Sequence, residues 1–464
     1  MLGVDSSTQA TKVEVRDADT GKLVASGRNP HPPTTPPRSE QDPTAWWEAL
    51  EPLLRDDVDA VSVAAQQHGL VALDDRRALI RPAKLWNDTE SAADAGWLLK
   101  QLGGAVPWAA ACGSVPVAAF TITKLSWLHR TEPDAFARLA HVLLPHDWLT
   151  FRLAGELVTD RGDASGTGYW SPAEDRWRFD LLGIVDGDRD WEPMLPRVLG
   201  PTAAAGEWRG AVVGPGTGDN MAAALGIGMQ PGDVAVSIGT SGTVFAVSDR
   251  PTNDATGAVA GFADATGRYL PLVCTLNATK VTDAVARLLS VELEELDRLA
   301  LEAPAGAGGL VLVPYLDGER TPDRPGASGT LAGLRSDVTR EQLARAAFEG
   351  VVCGLLDGLD ALSAAGVSTA DGRLLLAGGG ARSAAYRQVL ADLAGRAVTV
   401  AEGDEPVARG ACVQAAAVLH DRAPHEVVAA WGEGAGATTV EPGSDSAAAP
   451  DIRTAYAEAR NAAS

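Results

Sequence analysis

Apolar and polar positions alternate from Thr11 to Asp17, the period-two pattern of a half-buried strand. A short apolar run, Leu2–Val4, precedes this stretch, and Asp19-Thr20-Gly21-Lys22 follows it as a turn. The pattern predicts a strand ending at Asp5, a tight turn over Ser6–Ala10 and a returning strand. The same order recurs near mid-chain: an apolar strand Val234–Ile238, a small-residue turn Gly239-Thr240-Ser241-Gly242, and a second strand Thr243–Val247. Two domains built from similar parts are therefore expected, 1–231 and 232–464, meeting near Gln230-Pro231-Gly232-Asp233. Helical spacing of apolar residues predicts helices over Thr44–Leu54, Pro133–Val142 and Val338–Leu362. A strand Leu374–Ala377 runs into Gly378-Gly379-Gly380, with a helix over Ser383–Leu393. This mixture of strands and helices predicts α/β domains. Residues 433–448, rich in Gly, Ala and Ser, read as a loose loop before a last helix at Thr454–Arg460.

The length supports the division, since 464 residues exceed the roughly 250–300 that one core accommodates. A net charge of -22 argues against a broad nucleic-acid surface. It leaves phosphate binding open, because a local turn can hold phosphate through backbone N–H groups whatever the global charge. Cys112, Cys274, Cys353 and Cys412 form no close pair, so neither a disulfide framework nor a thiolate cage is implied. The opening MLGVDSSTQATK has no basic flank before an apolar run, and no membrane span is apparent. A cytoplasmic enzyme without membrane or nucleic-acid partners is the plain expectation.

Two carboxylates stand out. Asp219 follows the glycine-rich run Gly214-Pro215-Gly216-Thr217-Gly218 and opens a helical stretch with Asn220. It reads either as a helix cap or as a general base on a rigid turn, and the two roles can coexist. Asp5 precedes Ser6, Ser7 and Thr8, with Lys12 close behind. That set suits phosphate oxygens, with Mg²⁺ on Asp5, or else a plain surface turn. The matching turn at Gly239–Gly242 strengthens the phosphate reading, and Gly379 and Gly380 permit close backbone approach to a ligand. No GxxxxGK[ST] run occurs, which disfavours a P-loop. Gln66-Gln67-His68-Gly69 and Trp86-Asn87-Asp88 sit at strand ends and carry the amides, imidazole, indole and carboxylate that crowd a polyol site, although many loops look the same. The histidines have no HExxH frame, so a catalytic zinc is not expected.

Taken in order, these stretches resemble the FGGY family of carbohydrate kinases over nearly the whole chain. GVDSSTQATK resembles the family's first phosphate turn, and QQHG at 66–69 and WND at 86–88 its sugar loops. FTITKLSW at 120–127 resembles the first signature, and DASGT at 163–167 a further shared stretch. GD at 218–219 resembles the catalytic region, SIGTSG at 237–242 the second phosphate loop, and GGGARS at 378–383 the adenosine motif. PYLDGERTP at 314–322 resembles the pentulose-kinase branch. The first turn departs from the pattern, because STQAT lacks the glycines many members carry there.

The resemblance implies two actin-like, ribonuclease-H-like ATPase domains with a central cleft. It implies ATP and Mg²⁺ as cofactors and a small sugar as substrate, D-xylulose phosphorylated at O5. Asp219 would deprotonate the hydroxyl, and Asp5 would sit near Mg²⁺ and the transferred phosphate. Gln67, His68, Trp86, Asp88 and Asn220 would lie near the sugar. Ser7, Thr8, Lys12, Gly239, Thr240, Gly379, Gly380 and Ser383 would line the nucleotide. Another pentulose or polyol, or a sugar-binding regulator without catalysis, are the alternatives. The family is often dimeric, so a homodimer is compatible with the resemblance.

Overall fold

The computed structural model describes residues 1–401, 403, 405–432 and 437–463. The chain forms two compact units, neither of them one continuous stretch. The first comprises Met1–Met229, Ser248–Pro271 and Glu405–Glu433; the second comprises Gln230–Val247, Leu272–Asp404 and Gly434–Ser464. Each is an α/β unit with a mixed sheet.

In the first unit, strands β1 (Leu2–Ser6), β2 (Ala10–Arg16), β3 (Leu23–Pro30), β4 (Ala60–Ala65) and β5 (Ala211–Val213) lie in the order β3-β2-β1-β4-β5. β2 runs antiparallel to β1 and β3, while β4 is parallel to β1 and β5. β1 and β4 are buried at every residue, as expected of central strands covered on both faces. On one face Leu2, Val4, Val61 and Val63 pack with Trp46, Leu50, Trp148 and Leu149. The other face is covered by helices α1 (Asp219–Gly226) and α4 (Pro406–His420), whose backbones approach closely. A Cβ on Gly410 would lie 1.9 Å from Ala222 O, and one on Gly3 would lie 2.2 Å from Ala408 O. Polar contacts tie the same surfaces: Ser62 Oγ donates to Gln414 Oε1 at 2.5 Å, and Cys412 Sγ lies 3.3 Å from Glu14 O.

The second unit repeats the sheet order. β6 (Val234–Ile238), β7 (Gly242–Ala246), β8 (Tyr269–Thr275), β9 (Leu374–Ala377) and β10 (Val398–Val400) are arranged β8-β7-β6-β9-β10. β7 is antiparallel to β6 and to the Leu272–Thr275 part of β8; β9 is parallel to β6 and β10. Helix α2 (Arg340–Ala364) starts in a capping box in which Thr339 accepts from the Gln342 N–H and Gln342 answers to the Thr339 N–H. It buries Phe348, Val351, Val352 and Leu355. Helix α3 (Ala384–Ala394) follows β9.

Three local expectations change. The helix expected over Pro133–Val142 ends at Ala137, because His141–Leu143 is drawn into antiparallel pairing with Val71–Leu73. The one over Thr44–Leu54 runs Pro43–Leu50 and then tightens to a 3₁₀ turn over Glu51–Leu53, where Pro52 has no N–H to offer. Of the expected loop at 433–448, residues 433–436 lie outside the described residues. Thr438–Val440 is instead a strand on β10, and Ser444–Ala448 leads into a last helix that already begins at Ala449. Among the described residues, no helix is long and apolar enough to cross a membrane.

Candidate active site

Asp5 stands one residue from the end of β1, opposite Lys12 on β2 and beside Ala64 on β4. The turn beyond it is closed by Ser7, whose N–H and hydroxyl both donate to Ala10 O at 3.0 Å. Asp5 Oδ2 lies 3.5 Å from Lys12 Nζ, and that ammonium also donates to Glu405 Oε2 at 2.6 Å. Asp5 Oδ1 is buried and has no hydrogen-bond partner. Burial pushes the carboxyl up to about 6, although Lys12 pulls the other way.

The neighbouring strand β4 leads into Gln66-Gln67-His68, and Thr217–Gly218 pairs with its end, Ala64–Ala65. This pairing brings Asp219 to the same sheet edge as Asp5. Gly218 is the helix cap, and a Cβ there would lie 2.7 Å from Gln67 Cγ, so a side chain at this position would displace Gln67. Asp219 is thus the first residue of α1 and does not serve as its cap. Its Oδ1 accepts from the Asn220 N–H at 2.8 Å and from Asn220 Nδ2 at 3.0 Å; Nδ2 also donates to Gln67 Oε1 at 2.8 Å. Burial, then the negative charges of Asp5 and Asp163, push the Asp219 carboxyl up to about 7. The side-chain Nε2 atoms of Gln66 and Gln67 are buried and unpartnered. His68 sits at a positive φ of 67°, with Nδ1 2.8 Å from Gly166 O and its ring against Phe120 and Phe262.

The loop that delivers Asp219 is clamped from behind by residues the sequence did not single out. Gly216 has φ of 77°, and a Cβ on it would lie 2.4 Å from His146 Cδ2. Its carbonyl accepts from Gln414 Nε2 at 2.9 Å, and Thr217 Oγ1 donates to Asp160 Oδ2 at 2.7 Å. Asp160 also caps the short helix Arg161–Ala164, which carries Asp163. Asp163 Oδ2 lies 2.7 Å from His146 Nδ1, and Asp147 Oδ1 lies 3.1 Å from His146 Nε2. The DASGT stretch hinted at Asp163, but nothing local in the sequence pairs it with His146.

A model of the N-terminal domain of the FGGY family of carbohydrate kinases matches residues 1–226, and one of its C-terminal domain matches residues 234–419. The chain belongs to this family. It is 48% identical over 451 residues to a xylulose kinase of Streptomyces rubiginosus, covering 94% of this chain and 91% of that one. It is 36% identical over 431 residues to the xylulose kinase of Escherichia coli, with 87% of each chain covered. The crystal structure of xylulose kinase from Bifidobacterium adolescentis superposes with a TM-score of 0.87 at 41% identity, over 99% of both chains. The protein is thus a carbohydrate kinase.

In this FGGY kinase the turns at Gly239–Gly242 and Gly378–Gly380, two of those expected at the nucleotide, lie in the second unit. Gly239 N–H donates to Ser241 O at 2.9 Å, and the carbonyls of Gly239 and Thr240 accept from Thr279 and Ala278. The Thr240 side chain is exposed. Gly380 packs on Ile238, where a Cβ would lie 2.4 Å from Cγ2, while Gly379 is exposed. The Ser383 hydroxyl is engaged locally: it accepts from the Tyr386 N–H as the cap of α3 and donates to Asp297 at 2.7 Å.

Asp88 does not join the Asp219 group. It is fully buried, accepting from Lys84 Nζ and the Ser39 N–H, both at 2.9 Å, and from the Glu90 N–H at 3.1 Å. Glu40, Asp88 and Glu90 bring their carboxylate oxygens within 4.8 Å of one another, a grouping of the kind that could hold a divalent metal. Lys84 supplies a cation there. Its ammonium lies 2.6–3.2 Å from an oxygen of each carboxylate and 3.9 Å from the centre of the Trp127 ring.

Proposed function

We propose that this kinase transfers the γ-phosphoryl group of ATP to O5 of D-xylulose, with Asp219 as the general base. The observation that carries this reading is the Asp219 carboxylate at the sheet edge beside Asp5. It is oriented by Asn220, which Gln67 holds in turn, and raised to about 7. A base with that pKa is mostly ionised just above neutrality and still basic enough to accept a hydroxyl proton in the transition state. The names of the relatives favour a pentulose as the acceptor, since each of those reported above is a xylulose kinase.

The remaining roles follow from the donor and acceptor inventory. Gln67 Nε2 is a buried donor in need of an acceptor, which a sugar hydroxyl supplies. His68 and Trp86 offer a ring edge and a flat face to the same polyol. Asp5 Oδ1 is a buried acceptor with no partner, which fits a carboxylate that holds Mg²⁺ directly or through water. When bound, Mg²⁺ neutralises charge on the transferring phosphoryl group. Lys12, paired with Asp5 and Glu405, keeps the carboxylate oriented and is close enough to the turn to meet a phosphate. The repeated sheet order, with its second strand antiparallel, supports the actin-like, ribonuclease-H-like reading of both domains.

A coupled ADP-release assay with MgATP over D-xylulose, L-xylulose, D-ribulose, L-ribulose, glycerol and gluconate tests the assignment. A clear preference for D-xylulose supports it. Preference for another sugar retires the pentulose while keeping the kinase. Silence with every sugar, alongside sugar binding by calorimetry, points to a non-catalytic regulator.

A further inference from the structure

Thr8 lies in the turn after Asp5, where the family reading expects a phosphate contact. Its hydroxyl has other partners. Thr8 Oγ1 donates to Gln66 Oε1 at 3.0 Å and accepts from the Trp86 indole N–H at 2.9 Å. A hydroxyl has one proton. With that proton on Gln66, Thr8 has none to donate to a phosphate oxygen. Its carbonyl is also held, accepting from Gln41 Nε2 at 2.9 Å. Gln41 Oε1 in turn accepts from the Trp46 indole at 2.8 Å, so the strut is anchored in the core. The Gln66 N–H closes the group by donating to Ser6 O at 3.1 Å.

Thr8 therefore bonds three segments: the Asp5 turn to which it belongs, the Gln66-Gln67-His68 stretch, and the Trp86 loop. The last two are the segments assigned to the sugar. We propose that Thr8 is a positioning residue that fixes the Asp5 turn according to whether Trp86 is seated on a sugar. Resting on the kinase reading above, this gives the enzyme a means of suppressing phosphoryl transfer to water. With sugar present, Trp86 is held in place, its N–H holds Thr8, and the turn that carries Asp5 is set for transfer. Without sugar, the Trp86–Thr8 bond still forms, but the turn lacks the added restraint of a seated ring.

The test compares wild type, Thr8→Val, Thr8→Ser, Trp86→Phe and the Thr8→Val/Trp86→Phe double variant. Two rates are measured for each: sugar phosphorylation at saturating D-xylulose and MgATP, and ATP hydrolysis without sugar. Valine keeps the shape of threonine and removes the hydroxyl; phenylalanine keeps a flat ring and removes the indole N–H. The expected result is a fall of about tenfold in the ratio of the two rates for Thr8→Val and Trp86→Phe, with Thr8→Ser close to wild type. The double variant should be no worse than Thr8→Val alone, because valine already removes the bond to the Trp86 indole. Effects of the two substitutions that multiply, or a Thr8→Val ratio equal to wild type with only a raised KM for ATP, overturn the relay and return Thr8 to a simple phosphate contact. A wild type that phosphorylates no sugar refutes the kinase reading itself, and that result is distinct from either outcome for the variants. Circular dichroism and thermal unfolding of each variant separate loss of folding from loss of gating.

Discussion

His146 Nδ1 and Asp163 Oδ2 stand 2.7 Å apart with both side chains fully buried, and the His146 ring packs against Gly216, three residues before Asp219. Burial opposes a charge on this imidazole, but Asp147, Asp163 and Asp160 outweigh it and hold it up at about 9. Unfolded, the group titrates near ~6.5. Its stabilising contribution is therefore whole below about 6.5 and is lost as pH rises through about 9. Asp147 and Asp160, pushed up by burial to about 7 and about 6, act with the same sign. The folded chain holds their protons more tightly, so stability falls as pH rises from about 4 towards 7. The melting temperature should decline steadily between about pH 6 and about pH 9.5, and His146→Gln should flatten the upper part of that decline. A melting temperature that climbs over this window would contradict the charge assignment.

Asp219→Asn keeps the shape and the helix start while removing the base. Turnover should drop by about a hundredfold or more, the usual range for a lost general base. Sugar binding by calorimetry should stay within about threefold, since Gln67 and Asn220 remain. Near wild-type turnover would show that the proton leaves by another route.

The raised carboxyl of Asp219 predicts the shape of the pH–rate profile. As a base it must be ionised, so kcat/KM for the sugar should rise about tenfold per pH unit below pH ~7 and level off above it. A limb centred near pH 4 would place Asp219 in a far more solvated setting than its burial beside Asp5 implies.

Gly410 has no room for a side chain, because its Cβ position is 1.9 Å from the Ala222 carbonyl on α1. Gly410→Ala must push α4 and α1 apart. The expected loss is about 3 kcal/mol, at the upper end for overpacking because the obstacle is backbone. Urea unfolding followed by tryptophan fluorescence reads it directly, and a loss under about 1 kcal/mol would mean that the helices can slide.

Lys84 is fully buried among Glu40, Asp88 and Glu90. Lys84→Met takes the buried cation from Asp88 and Glu90, while Glu40 keeps Arg81 at 2.6 Å, at an expected cost of about 3–5 kcal/mol. Because the Trp86 loop lies between Lys84 and Asp88 in sequence, KM for the sugar should rise as well. Unfolding and steady-state kinetics on the same preparation separate the two effects.

The central hairpins were legible in the sequence because strands buried on both faces leave continuous apolar runs, as in Leu2–Val4 and Val234–Ile238. The placement of Asp5, Gln67, Asp219 and Asn220 was legible because each sits at a strand end or on a glycine turn. The clamp behind Asp219 was not. Gln414 reaches Gly216, and His146 reaches Asp163, across chain separations that no local spacing encodes. The surroundings of Asp88 were not legible either: its neighbours in sequence resemble a sugar loop, while its partner Lys84 is a residue whose burial cannot be read from a pattern. The helix expected past Ala137 failed because pairing with Val71–Leu73 overrides a local helical period.

The path of the chain also sets a clock for its own synthesis. β1 is made long before one of the two helices that cover its second face, Pro406–His420, which is seated on Gly3 and stitched to Ser62 and Glu14. A nascent chain must keep that strand waiting through nearly four hundred residues of translation. A ribosome that stops at the end of the 1–226 match therefore releases a sheet whose second face has α1 but lacks Pro406–His420, a product for chaperones or proteases and not a half-enzyme.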